Sequence, residues 1–249
     1  MTSTSVEAPA QGLARSVRLY RAFRVERTDP DHFYGLLARD SVGQVRQYEP
    51  LDGRLVLDVG GGPGYYASAF RTAGARYVSL DSDLAELSAR TAPGPGSVLG
   101  DAQRLPFRTA SVDVCFSSNL LEHVPEPWRM CDELVRVTRP GGLIMVGFTN
   151  WLSPWGGHET SPWHYTGGHR AALRYQRRHG RRPKNVFGES LFPVSVGAAL
   201  RWARTSPGVE VLDARPRYYP PSTRAVLRVP GLRELVTWNL LLVLRRRPV

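Results

Sequence analysis

LDVGGGPGYY, residues 57–66, is the stretch on which the fold turns. A short apolar run leads into a glycine turn, and helix-compatible residues follow from about Tyr65. Glycines at 60, 62 and 64 permit a tight turn and leave room for a ligand to approach the backbone where a Cβ would obstruct it. A dinucleotide fingerprint would place its third glycine at position 65, which is Tyr65, so the spacing is GxGxG rather than GxGxxG. Asp58 stands just before the turn, where a carboxylate can organise the loop or hold a ligand ammonium and would repel a pyrophosphate. Both features tell against a nicotinamide oxidoreductase.

Outward from this turn, short apolar, largely β-branched runs alternate with helical stretches: RLVLDVG at 54–60, YVSLD at 77–81, SVLGD at 97–101, VDVCFSS at 112–118 and LIMVGFT at 143–149. This rhythm predicts an α/β fold, a Rossmann-like and mostly parallel sheet with helices on both faces. Runs such as Leu143-Ile144-Met145-Val146 are continuously apolar, as expected of strands buried on both sides. Strands near 209–217 and 237–245, with helices near 195–204 and after Pro230, bring the sheet to seven strands. Residues 1–49 read as a helical N-terminal lobe: Leu13, Val17, Tyr20 and Phe23 recur at near-helical spacing, and Asp29-Pro30-Asp31 caps a second helix through Val45. Residues 50–150 form the core of the fold, 151–190 an insertion over the strand ends, and 191–249 the completion of the sheet, all within one domain of 249 residues.

Two further acids end the second and third strands. Asp81, with Ser82 beside it, stands where doubly wound folds place a carboxylate on the vicinal hydroxyls of a ribose. Asp101, in GDAQRLPF, is placed to accept a hydrogen bond from an adenine amino group, and Ala102 leaves space beside the ring. Asp58, Asp81 and Asp101 therefore face one crevice at the carboxyl ends of successive strands, the usual ligand site of an open α/β sheet.

These segments resemble class I S-adenosylmethionine-dependent methyltransferases, in particular the family typified by ubiquinone and menaquinone biosynthesis methyltransferases and its uncharacterised actinobacterial members. LDVGGGPGYY is similar to that family's first motif, Asp81 to its ribose acid, GDAQRLPF to its adenine segment, SSNLLEHVPEP to its fourth-strand motif and RVTRPGGLI to the approach to its fifth strand. The resemblance spans roughly residues 50–150 and implies S-adenosylmethionine as cofactor, with Ser118 and Asn119 beside its methionine part.

Methyl transfer from a sulfonium is an in-line displacement, helped chiefly by alignment and exclusion of water, so few side chains are obligatory. His123 is the candidate general base or orienting group, against the alternative of a histidine that packs locally before Pro125. In the insertion, Trp151, Trp155, His158, His164 and Tyr165 are candidates for an acceptor pocket, against the alternative of a lid with its own aromatic core. No metal is expected, because no two of these histidines have a familiar ligand spacing.

The chain carries a net charge of +11, and seven basic residues without an acid run from Arg170 to Lys184. Arg170, Arg174, Arg177 or Arg178, and Arg181 would form one stripe on a helix ended by Gly180, either a solvated face or a contact for an anionic surface or an acidic partner. Nucleic acid is the weaker partner: Ser118-Asn119-Leu120-Leu121 replaces the Asn/Asp-Pro-Pro-aromatic sequence that amino-directed base methyltransferases share. The expected acceptor is a small or lipid-like molecule methylated on oxygen or carbon, with an RNA methyltransferase and a catalytically silent cofactor-binding protein as alternatives. Cys115 and Cys131 read as core residues, having neither disulfide nor metal spacing. The N-terminus lacks the apolar run of a secretory signal, and Leu235–Leu244 is too short to cross a bilayer and reads as a buried strand. A cytoplasmic protein, or one peripheral to a membrane, is expected.

Overall fold

A computed structural model describes residues 12–90 and 94–248; the reading of the first eleven residues lies outside them. The helices are α1 (Leu13–Phe23), α2 (Pro30–Val45), α3 (Ala67–Thr72), α4 (Leu84–Leu87), α5 (Pro127–Val137), α6 (Gly168–His179), α7 (Val196–Thr205) and α8 (Leu232–Val236). The strands are β1 (Leu55–Val59), β2 (Arg76–Asp81), β3 (Ser97–Leu99), β4 (Val112–Ser118), β5 (Thr138–Thr149), β6 (Val209–Pro216) and β7 (Asn239–Arg246). Their order in the sheet is β3-β2-β1-β4-β5-β7-β6. The first five are parallel, and β7 runs antiparallel to both β5 and β6. The order reverses between β1 and β4, so the turns leaving those two strands diverge and open a crevice at their carboxyl ends.

Two apolar layers cover the sheet, which is why the strands are apolar on both faces. On one face Leu57, Val59, Cys115, Ile144 and Leu242 meet Met130 and Leu134 of α5 and Ala199 and Leu200 of α7. On the other, Val56, Val114, Phe116, Met145 and Leu241 meet Leu37 and Val45 of α2 and Phe70 of α3. Cys115 and Cys131 are both free and buried. Among the described residues no helix is long and apolar enough to cross a membrane.

The helix starts carry the chemistry expected of them. Asp29 accepts a hydrogen bond from His32 N at 3.0 Å at the start of α2, with Pro30 in its first turn. Ser195 does the same for Ala198 N of α7 at 3.1 Å. Gly180, in the left-handed conformation at φ 66°, ends α6.

Two expectations are corrected, and α1, a helix as its spacing predicts, turns another face inward. Leu13, Val17 and Tyr20 are largely exposed, at 69%, 39% and 49%. Arg15, held by Asp40 of α2 through bonds of 2.6 and 2.7 Å, turns the Leu19 and Ala22 face inward instead. The apolar stretch from Leu235 is not all strand: Pro230-Gly231 breaks the chain, one turn of α8 forms, and Leu235 and Val236 are exposed. Glu234 gives that turn its use, accepting bonds from Val196 N at 2.8 Å and Gly197 N at 2.7 Å at the start of α7. Finally, β5 starts at Thr138 rather than 143, with Val112 opposite Thr138 and Val114 opposite Leu143, so Arg139–Gly142 bulges between them.

Candidate active site

The four glycines of the turn after β1 do two different jobs. Gly60 and Gly61 are packed: a Cβ at Gly60 would stand 2.8 Å from Leu120 Cδ2, and one at Gly61 would stand 2.8 Å from Ser79 Cβ. Both backbone N–H groups donate to Leu80 O, at 2.8 and 3.2 Å, which ties the turn to β2. Gly62 and Gly64 adopt φ of 47° and 78° with nothing within 4 Å of a Cβ position. They are glycine for conformation, and the open space beside them is a cradle for a ligand.

Asp81 accepts from Gly62 N at 3.0 Å through Oδ2 and from Asp83 N at 3.1 Å through Oδ1. A carboxylate has further lone pairs, so these bonds fix its plane without exhausting it. Ser82 is exposed beside it. Asp101, also exposed, accepts from Gln103 N at 2.8 Å, and Ala102 is buried behind it.

Asp58 differs from the other two acids. It is 1% exposed, Tyr77 Oη donates to its Oδ2 at 2.5 Å, and its Oδ1 has no partner. Burial pushes its pKa up to about 7, the Tyr77 hydrogen bond opposing and Asp81 adding to the rise.

At the end of β4, Ser118 is turned inward, its Oγ 2.9 Å from Tyr66 Oη and accepting from Arg217 Nη1 at 2.8 Å. Asn119 has φ 57° and accepts from Asn239 Nδ2 at 2.7 Å through Oδ1. Arg217, fully buried, also donates to Ser41 Oγ at 2.9 Å and packs where Gly147 leaves no Cβ. Nothing in the sequence pattern marks Arg217: an arginine after a strand in a basic chain is ordinary, and only the tertiary fold buries it.

A cavity of about 1180 Å³ opens beside Asn119, roofed by α1 and the start of α2 and walled by the segment after β5. Phe23, Phe33, Tyr34, Trp155, Tyr218 and Trp238 give it an aromatic lining, with Trp155 stacked on Trp238 at 4.4 Å between centroids. Arg21, Arg24, Arg27 and Lys184 stand on its margin, with Glu26 and Glu159 as its acids. His123 and His158 line it too, their rings 5.0 Å apart and nearly perpendicular.

Of the insertion candidates, Trp155 and His158 thus reach the cavity and three do not. Trp151 packs between His164 and Phe187, at 5.2 and 4.9 Å. His164 is 1% exposed and bonded through Nε2 to Ser153 O at 3.1 Å. Tyr165 points to solvent and donates to Leu152 O at 3.0 Å. These three hold the segment together, as a lid core would. The α1 and α2 aromatics were missed because helical spacing does not distinguish a face over a cavity from one over a core.

Comparison with known proteins agrees with this geometry. Residues 57–146 match the methyltransferase-domain family. An uncharacterized methyltransferase of Mycolicibacterium gilvum is 51% identical over 255 residues, covering 98% of this chain and 99% of the relative. The chain belongs to this methyltransferase family. A second relative, an uncharacterized methyltransferase of Mycolicibacterium vanbaalenii, is 51% identical across 94% of each chain. The crystal structure of an S-adenosylmethionine-dependent methyltransferase from Mesorhizobium loti superposes with a TM-score of 0.56 at 19% identity, over 82% of this chain and 96% of that one.

The methyltransferase fold explains the division of the crevice. Its cofactor is S-adenosylmethionine, and the residues present fit it: an open glycine cradle, a buried carboxylate oxygen without a partner for an ammonium, and two acids at the neighbouring strand ends. The aromatic cavity lies beyond Asn119, next to these residues.

Proposed function

We propose that this methyltransferase moves the methyl group of S-adenosylmethionine to an oxygen or carbon of a small, lipid-like acceptor carrying an anionic group. The cavity carries this reading: it is large, lined by aromatic faces that suit an apolar body, and edged by arginines that suit a negative charge. The likeness of its motifs to quinone-biosynthesis methyltransferases points the same way.

S-adenosylmethionine supplies an electrophilic methyl whose bond electrons stay on sulfur as the acceptor atom takes the carbon. Gly62, Gly64, Asp81 and Ser82 with Asp101 and Ala102 would hold its nucleoside end, and Asp58 and Asn119 its amino-acid end. The chain's own contribution is orientation, and the aromatic walls exclude water from the line of transfer. His123 Nδ1 bonds to Ser190 O at 2.7 Å, which requires the proton on Nδ1 and leaves Nε2 as the lone-pair nitrogen. For a hydroxyl acceptor that nitrogen would receive the proton released as the new bond forms.

An RNA acceptor fits less well, since the basic residues of α6 line a separate surface hollow rather than this cavity. Incubating the full chain with methyl-labelled S-adenosylmethionine and a cell extract, then separating organic-soluble from nucleic-acid fractions, tests the reading. Label should enter the organic-soluble fraction, and label found only in RNA overturns it.

A further inference from the structure

Glu122, His123 and His158 are as much as 36 residues apart in sequence but converge in space: one potential ligand atom of each lies within 4.8 Å of the other two. Glu122 is 1% exposed. Its Oε1 accepts from Thr149 N at 2.8 Å, while Oε2 has no partner at all. The His158 Nδ1 stands 3.3 Å from Gly156 O, as the His123 Nδ1 stands by Ser190 O. A carbonyl only accepts, so both rings carry their proton on Nδ1 and keep a lone pair on Nε2. This is the arrangement by which backbone carbonyls orient metal-binding histidines. A buried carboxylate oxygen without a partner, on a residue that stands against two imidazoles each keeping a lone pair, is unfavourable without a positive partner.

We propose that Glu122, His123 and His158 bind a divalent transition-metal cation at the edge of the acceptor cavity. Two nitrogens and one carboxylate oxygen suit Zn²⁺, Mn²⁺ or Fe²⁺, whereas Mg²⁺ and Ca²⁺ favour oxygen ligands. Small side-chain rotations would bring the three atoms to roughly 3–3.5 Å from one another, the spacing set by metal–ligand bonds of about 2.1 Å. Both histidines line the cavity, so the remaining coordination positions face it. Resting on the acceptor reading above, the ion would seat an acceptor oxygen there; with the ion bound the metal would take the His123 lone pair, so the proton step given to it above belongs to the metal-free chain. Spacing along the sequence gives no sign of such a site, because its residues come from the turn after β4 and the segment after β5.

The test needs no acceptor. Full-length protein, stripped with a chelator and dialysed, is titrated calorimetrically with Zn²⁺, Mn²⁺ and Mg²⁺. One Zn²⁺ per chain is expected, with a Kd of about 10 µM or tighter and Mg²⁺ at least about a hundredfold weaker. Glu122→Gln, which keeps an oxygen for Thr149 N, and His158→Gln should each weaken Zn²⁺ by at least about tenfold, with melting temperatures in chelator close to wild type. Replacement by Co²⁺ should give visible absorption bands that both variants lose. Absent Zn²⁺ binding, or binding of equal strength in both variants, overturns the site. A methyl label that appears only in RNA while Zn²⁺ binding persists overturns the acceptor reading alone.

Discussion

Asp58 is held under the glycine turn with one oxygen on Tyr77 and the other bare, and this has a consequence for pH. Its folded pKa, pushed up to about 7 by burial, lies above that of an unfolded aspartate near 3.9. Between these values the folded chain binds the extra proton, so stability falls as pH rises and levels off above about 7. Asp58→Asn should therefore raise the melting temperature relative to wild type at pH 8, by an amount equivalent to a few kcal/mol at most, and leave little difference at pH 4. The same variant should bind S-adenosylmethionine at least about tenfold more weakly, having lost the charge proposed above to face the ammonium. Scanning fluorimetry across pH 4–9, with and without cofactor, checks both; a variant less stable than wild type at pH 8 would refute the assignment. That Asp58, Asp81 and Asp101 lie at or just past strand ends was legible in sequence, because position there is set by local pattern. His164 and Tyr165 were not correctly placed, because in a segment of turns rich in Trp, His and Gly no period tells which side chain points inward.

Elements were easier to read than contacts. Strand cores came out nearly in place, since continuous apolar runs of β type have few other uses, and the cap of α2 was visible in Asp29-Pro30. What escaped depends on distant partners. The bulge at Arg139–Gly142 exists because β4 pairs both sides of it, and α8 exists in part because Glu234 reaches another helix. Glu234 accepts from two backbone N–H groups of α7 that have no intrahelical acceptor. Glu234→Ala should cost about 1–2 kcal/mol, read as a lower urea midpoint at unchanged slope, while Glu234→Gln should recover part of it by keeping the acceptor oxygen. An alanine variant as stable as wild type would mean that water replaces the cap without loss.

On the scale of the whole molecule, the aromatic cavity belongs to no single element: α1, the start of α2, the segment after β5 and the Tyr218–Trp238 region each supply a wall. The sequence pattern places a crevice at the carboxyl ends of the strands, but the aromatic character of the cavity comes from side chains that meet only in the folded chain. Its margin is also biased in charge. Arg21, Arg24 and Arg27 are exposed and make no ion pair among the described residues, while Glu26 is bonded by Tyr34 Oη at 2.6 Å and Lys184 is paired with Glu86 at 2.8 Å. An anionic aromatic dye such as anilinonaphthalene sulfonate combines the two features the cavity offers. It should bind with one-to-one stoichiometry and enhanced fluorescence. Trp155→Ala, removing one face of the Trp155–Trp238 stack, should weaken it by about tenfold, in line with the 1–3 kcal/mol lost with a large buried aromatic contact. Arg24→Gln with Arg27→Gln should weaken it less, by about threefold, and flatten its dependence on salt, because exposed charges act through a screened field. The two effects should be separable, one insensitive to ionic strength and one governed by it. If Trp155→Ala leaves binding intact while the arginine variants abolish it, the dye is reading the charged surface of α1, and the cavity is not an apolar acceptor site.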